Sequence, residues 1–152
     1  MGYLLTKDHD LLRNISTAKE AADLHTNVFA QYVIHDYLMH NELDEHLTKI
    51  RELYRSQARA MVDAMKEFFP YGVEFTIPEG GMFLWVTLPE GIFAMDLFDK
   101  ALEQNVAFVP GDPFYAEGGK RSTLRLNFTN GDEETIRSGI KRLAEVIEAE
   151  LA

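Results

Sequence analysis

Few residues in this sequence sit in a setting that suggests chemistry, and the clearest is an arginine inside a short alternating stretch. In Ser122–Asn130, STLRLNFTN, the apolar Leu124, Leu126 and Phe128 alternate with Thr123, Arg125, Asn127 and Thr129. Period two is the signature of a strand with one buried and one polar face. Arg125 then has two readings. It is a solvated surface residue, or its planar guanidinium fork meets a carboxylate through two parallel hydrogen bonds. An α-carboxylate of a free amino acid is one such partner.

Other candidates reduce to structure. The five histidines, His9, His25, His35, His40 and His46, include no pair with the helical spacing of a zinc site around a glutamate, so no metal site is expected. HNELDEH reads as the acidic start of a helix. The serines lack an elbow motif, and Gly80-Gly81 and Gly118-Gly119 read as turns rather than a phosphate loop. Two loops stand out: PEGGMFLW, a tight turn feeding a strand with Trp85 as a core residue, and VPGDPFY. In the latter, Pro110-Gly111 suits a type II turn with glycine at positive φ, followed by Phe114 and Tyr115.

The elements that must hold these residues follow from periodicity. GYLLT reads as a short strand. HDLLRNISTAKEAADLHTN is helical, with Thr17 and Glu20 able to form a capping box and a break at LHTN. Thr26 or Asn27 caps the next helix, VFAQYVIHDYLMH. From Asn41, its cap, to Phe69 runs a long helix with Leu43, Leu47, Ile50, Tyr54, Met61, Met65 and Phe68 in one stripe, ended by Pro70. VEFTI, MFLWVTL, VAFVP and the Arg125 stretch are strands, and MFLWVTL is apolar on both faces, so covered on both. MDLFDKALEQN is a helix with Leu97, Phe98, Ala101 and Leu102 inward. Asn130 and Glu133 can cap a last helix lined by Ile136, Ile140, Leu143, Ile147 and Leu151.

The fold class is therefore α+β: a small mixed or antiparallel sheet covered by helices, preceded by a strand and two helices with nothing to pack against. Residues 41–152 form one domain, and residues 1–40 look like part of something larger.

Composition bounds the function. The chain has 152 residues, 46% hydrophobic and 26% charged, enough for a packed core. A net charge of −10 disfavours nucleic acid and anionic membranes as partners. There is no cysteine, which fits a reducing compartment. No apolar run approaches the ~18 residues of a membrane span, and the N-terminus lacks a secretory signal pattern.

In their order, these segments resemble the C-terminal part of a fold-type I, PLP-dependent aminotransferase of class I/II, in the branch of 2-aminoadipate and broad-specificity enzymes. The matching pieces are Gly2-Tyr3, His25-Thr26-Asn27, Gly80-Gly81-Met82-Phe83-Leu84-Trp85, Val106 to Phe114, and Leu124-Arg125-Leu126-Asn127-Phe128. The resemblance implies a cytoplasmic homodimer that moves an amino group between an α-amino acid and a 2-oxo acid. It implies that Arg125 binds the substrate α-carboxylate, that Phe114 contributes to the substrate site, and that Thr26 and Asn27 lie near the cofactor phosphate. It implies that residues 1–40 belong to the large cofactor-binding domain and that the Schiff-base lysine lies upstream of Gly2-Tyr3. None of Lys7, Lys19, Lys49, Lys66, Lys100, Lys120 and Lys141 has that lysine's setting, no catalytic residue is expected here, and the stretch alone is expected to be inactive. Two other classes remain open: the aminotransferase-like sensing domain of a bacterial transcription regulator, and a stand-alone ligand-binding module.

Overall fold

The structure, a computed structural model, describes residues 2–116, 118 and 121–151. It divides into two compact units, residues 1–46 and 47–152.

In the first unit, α1 (His9–Asp23) starts at Asp8, whose side chain accepts hydrogen bonds from the amides of Asp10 and Leu11. It runs unbroken past Thr17 and Glu20. It ends at Leu24, where φ is 60° and His25 N–H donates to the Asp23 carbonyl at 2.6 Å. This is a strained γ-turn, and it makes the break expected at LHTN. Asn27 caps α2 (Val28–His40) by accepting from Ala30 N–H at 3.0 Å. Gly2–Thr6 forms no strand: it carries no regular structure, and Tyr3 and Leu5 are about nine-tenths exposed. A strand needs a neighbouring edge to satisfy its backbone, and among the described residues none pairs with these.

The second unit is built around one four-stranded sheet, β1 (Glu74–Phe75), β2 (Phe83–Thr87), β3 (Val109–Pro110) and β4 (Thr123–Asn127), in the order β1-β2-β4-β3 with every pair antiparallel. Its helices are α3 (Leu43–Phe68), which begins in the first unit, α4 (Ala94–Glu103) and α5 (Glu133–Leu151). Leu84, Val86, Leu124 and Leu126 point to one face of the sheet, where they are buried with Met61 and Met65 of α3, Leu97 and Ala101 of α4, and Ile136, Ile140, Leu143 and Ile147 of α5. The α+β class and the helix–strand order expected from residue 41 onward both hold. Only the C-terminal half of the α3 stripe is core; Leu43, Leu47, Ile50 and Tyr54 remain half-buried. Leu102 and Leu151 are exposed rather than inward.

The last helix is capped by Asp132, not by the Asn130–Glu133 pair. Asp132 Oδ1 accepts from Thr135 N–H at 2.8 Å. Glu133 instead receives the Ser56 hydroxyl of α3, and Gln57 Nε2 donates to the Gly131 carbonyl at 2.7 Å. Hydrogen bonds from Thr135 hold the Asp132 carboxyl below its ordinary 3.8. A carboxyl lowered in the folded state stabilises above the ordinary value, and that stability is lost as pH falls through the lowered one. Thermal melts followed by circular dichroism below the ordinary carboxylate range should therefore fall less steeply for Asp132→Asn, which keeps a capping acceptor but has no charge to lose. Equal slopes would exclude Asp132 as a contributor to acid unfolding.

Candidate active site: a cation on the open face of the sheet

Antiparallel alternation fixes what the other face carries. With Leu84, Val86, Leu124 and Leu126 committed to the core, Phe83, Trp85 and Arg125 must point the opposite way. Arg125 sits on β4, an interior strand, directly opposite Trp85 of β2 on one side and Val109 of β3 on the other. Its backbone is therefore fixed by both neighbours. Trp85 is not the core residue expected from its apolar surroundings; it is half-buried on this open face. Nor is β2 fully covered on both sides, because its second face is the floor of the site.

The loop after β3 closes over Arg125. Residues Asp112–Phe114 form a single 3-10 turn, and this turn brings Phe114 to the arginine. The guanidinium carbon lies 3.9 Å from the centre of the Phe83 ring and 4.8 Å from that of Phe114. Phe114 meets Trp85 edge-to-face at 5.5 Å, and Tyr115 meets Trp85 at 6.2 Å. Gly111 permits this approach by a different device from the one its sequence suggests. Its φ is −77°, an ordinary helical value and not the positive φ of a type II turn. What matters is space. Gly111 N–H donates to the Thr123 carbonyl at 2.7 Å, and a Cβ on Gly111 would stand 2.1 Å from the Thr123 hydroxyl oxygen. Only a residue without a Cβ lets the turn lie this close to β4.

Two polar atoms in this corner are buried without partners: Arg125 Nε and Asp112 Oδ1. Among the described residues no side chain makes an ion pair or hydrogen bond with Arg125. A buried donor left unmade costs roughly 1–3 kcal/mol, more when it is charged. The aromatic rings cover the guanidinium faces through cation–π contact, so its N–H groups are left to work in its own plane. A planar acceptor with two oxygens fits that edge, which describes a carboxylate. Phe83, Trp85, Tyr115 and Asp112 thus join Arg125 and Phe114. Phe83 and Trp85 carried a readable signal, since they share Arg125's alternation once β2 pairs with β4. Asp112 and Tyr115 carried none beyond lying in the marked loop.

Thr26 and Asn27 belong to the first unit, at the junction of α1 and α2. The Asn27 side-chain oxygen is engaged by the Ala30 amide, and the Thr26 carbonyl accepts from Gln31 Nε2 at 3.3 Å. Lys19 of α1 is paired with Asp23 at 2.7 Å. Two uncharged side chains at a helix start can form an edge of a phosphate cradle, but they lack the cation and the further donors of a complete one. The residues described here therefore do not make a whole site for PLP. Among them, no cluster of three or more metal-ligating side chains exists, and no helix is long and apolar enough to cross a membrane.

An α+β domain with a ring-stacked, unpartnered arginine on the open face of its sheet can take a planar anion there, and comparison with known proteins gives the class. The chain belongs to the class I and II aminotransferase family, whose sequence profile matches residues 1–143. It is 46% identical over 99% of its length to an aromatic-amino-acid aminotransferase of Thermococcus litoralis, and 43% identical over 94% to a 2-aminoadipate transaminase of Thermus thermophilus. The structure superposes on a kynurenine aminotransferase of Pyrococcus horikoshii, solved in complex with PMP, at a TM-score of 0.82 and 47% identity over 95% of this chain. The chain spans 36% of the length of each of these proteins. An HTH-type transcriptional regulator of Staphylococcus aureus matches at only 21% identity over 94% of the chain, which does not favour the regulator reading.

Proposed function

We propose that this chain supplies the carboxylate-binding part of a PLP-dependent aminotransferase that moves an amino group between an α-amino acid and a 2-oxo acid. The observation that carries the reading is the buried, partnerless Nε of Arg125 on a guanidinium stacked against Phe83 and Phe114, in a chain of this family. In this reading the fork takes the α-carboxylate of the substrate and of the product alike. Both carry that group through the reaction, so the arginine fixes position while the amino group leaves or arrives. Phe114 and Phe83 hold the guanidinium plane and keep water from its faces, which strengthens the ion pair. When bound, PLP supplies the electron sink of the chemistry. We assign residues 41–152 to the small domain and residues 1–40, with Thr26 and Asn27, to an edge of the cofactor domain. The cysteine-free composition fits a cytoplasmic protein.

The test is an amino-transfer assay on a polypeptide of the relatives' length that contains this sequence, loaded with PLP, with aromatic amino acids and 2-aminoadipate as donors and 2-oxoglutarate as acceptor. Transfer from at least one donor is expected; full cofactor loading without transfer from any amino acid would refute the function. The 152-residue chain alone should show no turnover. After incubation with PLP and borohydride reduction, peptide mapping should find sparse label spread over exposed lysines. Stoichiometric label on one lysine together with turnover would overturn the assignment of the cofactor lysine elsewhere.

The same reading includes a homodimer. Nine of the thirteen residues of α2, VFAQYVIHDYLMH, are apolar, yet α2 buries none of them, with Phe29, Tyr32 and Met39 each about two-thirds or more exposed. A helix apolar all round is normally covered. Light scattering of the isolated chain should show self-association that grows with concentration. A strict monomer whose α2 amides resist hydrogen exchange would contradict it.

A further inference from the structure

The turn that joins β4 to α5 carries a chemical feature independent of the aminotransferase reading. Of the six asparagines in the chain, Asn130 is the one followed by glycine. The backbone nitrogen of the following residue can attack an asparagine side chain and close a five-membered ring, and a glycine there puts no Cβ in the way. The local structure leaves both reacting groups free. Asn130 and Gly131 lie in the irregular segment between Asn127, the end of β4, and Glu133, the start of α5. Asn130 is exposed, and its side chain makes no hydrogen bond among the described residues. The Gly131 N–H donates to no acceptor among them either.

The other five asparagines are committed. Asn14 lies inside α1. The side chains of Asn27, Asn41 and Asn127 are hydrogen-bonded to Ala30 N–H, to the Tyr37 carbonyl and to Thr129. Asn105 precedes the β-branched Val106, whose N–H is engaged by the Ala101 carbonyl at 2.9 Å. Packing also favours glycine at position 131. A Cβ there would stand 3.2 Å from Thr135 Cγ2 and 3.3 Å from Thr135 Cβ, so the first turn of α5 keeps the labile pair together.

We infer that Asn130-Gly131 is a site of spontaneous modification that converts Asn130 into aspartate and isoaspartate. Base removes the Gly131 amide proton. The nitrogen attacks Asn130 Cγ, and the bond from Cγ to the side-chain nitrogen breaks, releasing ammonia. Water then opens the cyclic imide. Opening at Cγ gives aspartate. Opening at the backbone carbonyl carbon gives isoaspartate, whose main chain runs through the former side chain and is longer by a methylene. The reacting groups are neighbours in the chain, so the reaction needs water but no partner. Either product adds a negative charge. Isoaspartate does more, because the turn is pinned on both sides. Towards β4, Asn127 Oδ1 accepts from the Thr129 N–H at 2.7 Å and from its hydroxyl at 2.8 Å. Towards α5, Gln57 Nε2 donates to the Gly131 carbonyl at 2.7 Å, and Asp132 Oδ1 accepts from Thr135 N–H at 2.8 Å. A longer main chain between these anchors must break at least one of them.

The test incubates the 152-residue chain at mildly alkaline pH and follows every asparagine by peptide mapping with mass spectrometry. Acid should accumulate at Asn130 about tenfold or more faster than at any other asparagine. The rate should rise with pH, and the isoaspartate form should be left uncut by the aspartate-specific protease Asp-N. The aged chain should melt about 2–4 °C below fresh Asn130→Asp, which has the same charge on an unaltered main chain; loss of one hydrogen bond is worth about that much in a chain of this size. Asn130→Gln, whose longer side chain closes the ring poorly, should keep its fresh melting temperature through the same incubation. Both variants should fold, because Asn130 is exposed and its side chain holds nothing. The inference is overturned if Asn130 stays intact while a short Thr-Asn-Gly-Asp peptide is converted, or if another asparagine turns acidic first. It is also overturned if the aged chain melts with Asn130→Asp, or if aged Asn130→Gln loses as much stability as the unaltered sequence.

Discussion

Replacing Arg125 with alanine, in an aminotransferase of the relatives' length carrying this sequence, should lower kcat/KM for an α-amino acid by about a hundredfold or more. Truncating one partner of a desolvated, hydrogen-bonded charge pair costs about 2–5 kcal/mol, and each 1.4 kcal/mol is a factor of ten in rate. The structure makes the upper part of that range reachable. Arg125 lies on a strand paired on both sides, its faces are covered by Phe83 and Phe114, and its Nε is withdrawn from water. The guanidinium is thus held in position by the fold itself. Arg125→Lys should recover little of the loss, because an ammonium gives neither two parallel donors nor the stacked plane. Steady-state kinetics on the two variants check both statements; wild-type efficiency in either would remove Arg125 from the site. Fold should be spared, since the residue makes no ion pair with a described side chain.

Gly111→Ala should be the most damaging single-methyl change near the site. The added Cβ would stand 2.1 Å from Thr123 Oγ1, 2.8 Å from the Thr123 carbonyl oxygen and 2.9 Å from Thr123 Cβ. A flexible side-chain end could move away, but two of these atoms are a backbone oxygen and a Cβ on an interior strand. Relief must come from the turn itself, which then draws Phe114 off the arginine. Overpacking of this kind costs about 1–3 kcal/mol of stability. Chemical denaturation should show that loss, and kcat/KM should fall together with it. Thr123→Ser would not be expected to rescue the variant, since the hydroxyl and backbone remain. A stable and fully active Gly111→Ala protein would show that the close approach of the turn to β4 is not what places Phe114.

The site was legible where local pattern and tertiary requirement agree. LRLNF alternates cleanly because β4 is interior and one of its faces is core, so the sequence had to separate apolar from polar positions, and Arg125 fell out of that separation. The helices were readable for the same reason, through stripes such as Ile136, Ile140, Leu143 and Ile147. β2 was harder. FLWVT is apolar at nearly every position because its second face is covered by aromatic rings and a guanidinium rather than by water. Hydropathy cannot distinguish that from core, so Trp85 reads as a core residue from sequence alone. Gly111 shows a different limit. A glycine tells of a backbone that no other residue tolerates, but not whether torsion or contact is the cause, and here it is contact with Thr123, twelve residues away in the chain. The start of α5 gives a third case. Asn130, Asp132 and Glu133 are all competent caps, and the choice of Asp132 followed from Glu133 being engaged by Ser56 and Gly131 by Gln57 of another helix. The apolar Gly2–Thr6 has strand composition without a strand, because pairing is a property of two segments and only one is present among the described residues.

The central claim is that Arg125 recognises the α-carboxylate itself. It is tested most directly by comparing kcat/KM for phenylalanine with kcat/KM for phenethylamine, which lacks only that carboxylate, in the PLP-loaded polypeptide with Arg125 and with alanine in its place. With Arg125 present the amino acid should be preferred by about a hundredfold or more, and in Arg125→Ala that preference should fall close to unity because the fork that reads the carboxylate is gone. An undiminished preference in the Arg125→Ala variant would mean that another group holds the carboxylate and would contradict the assignment of Arg125.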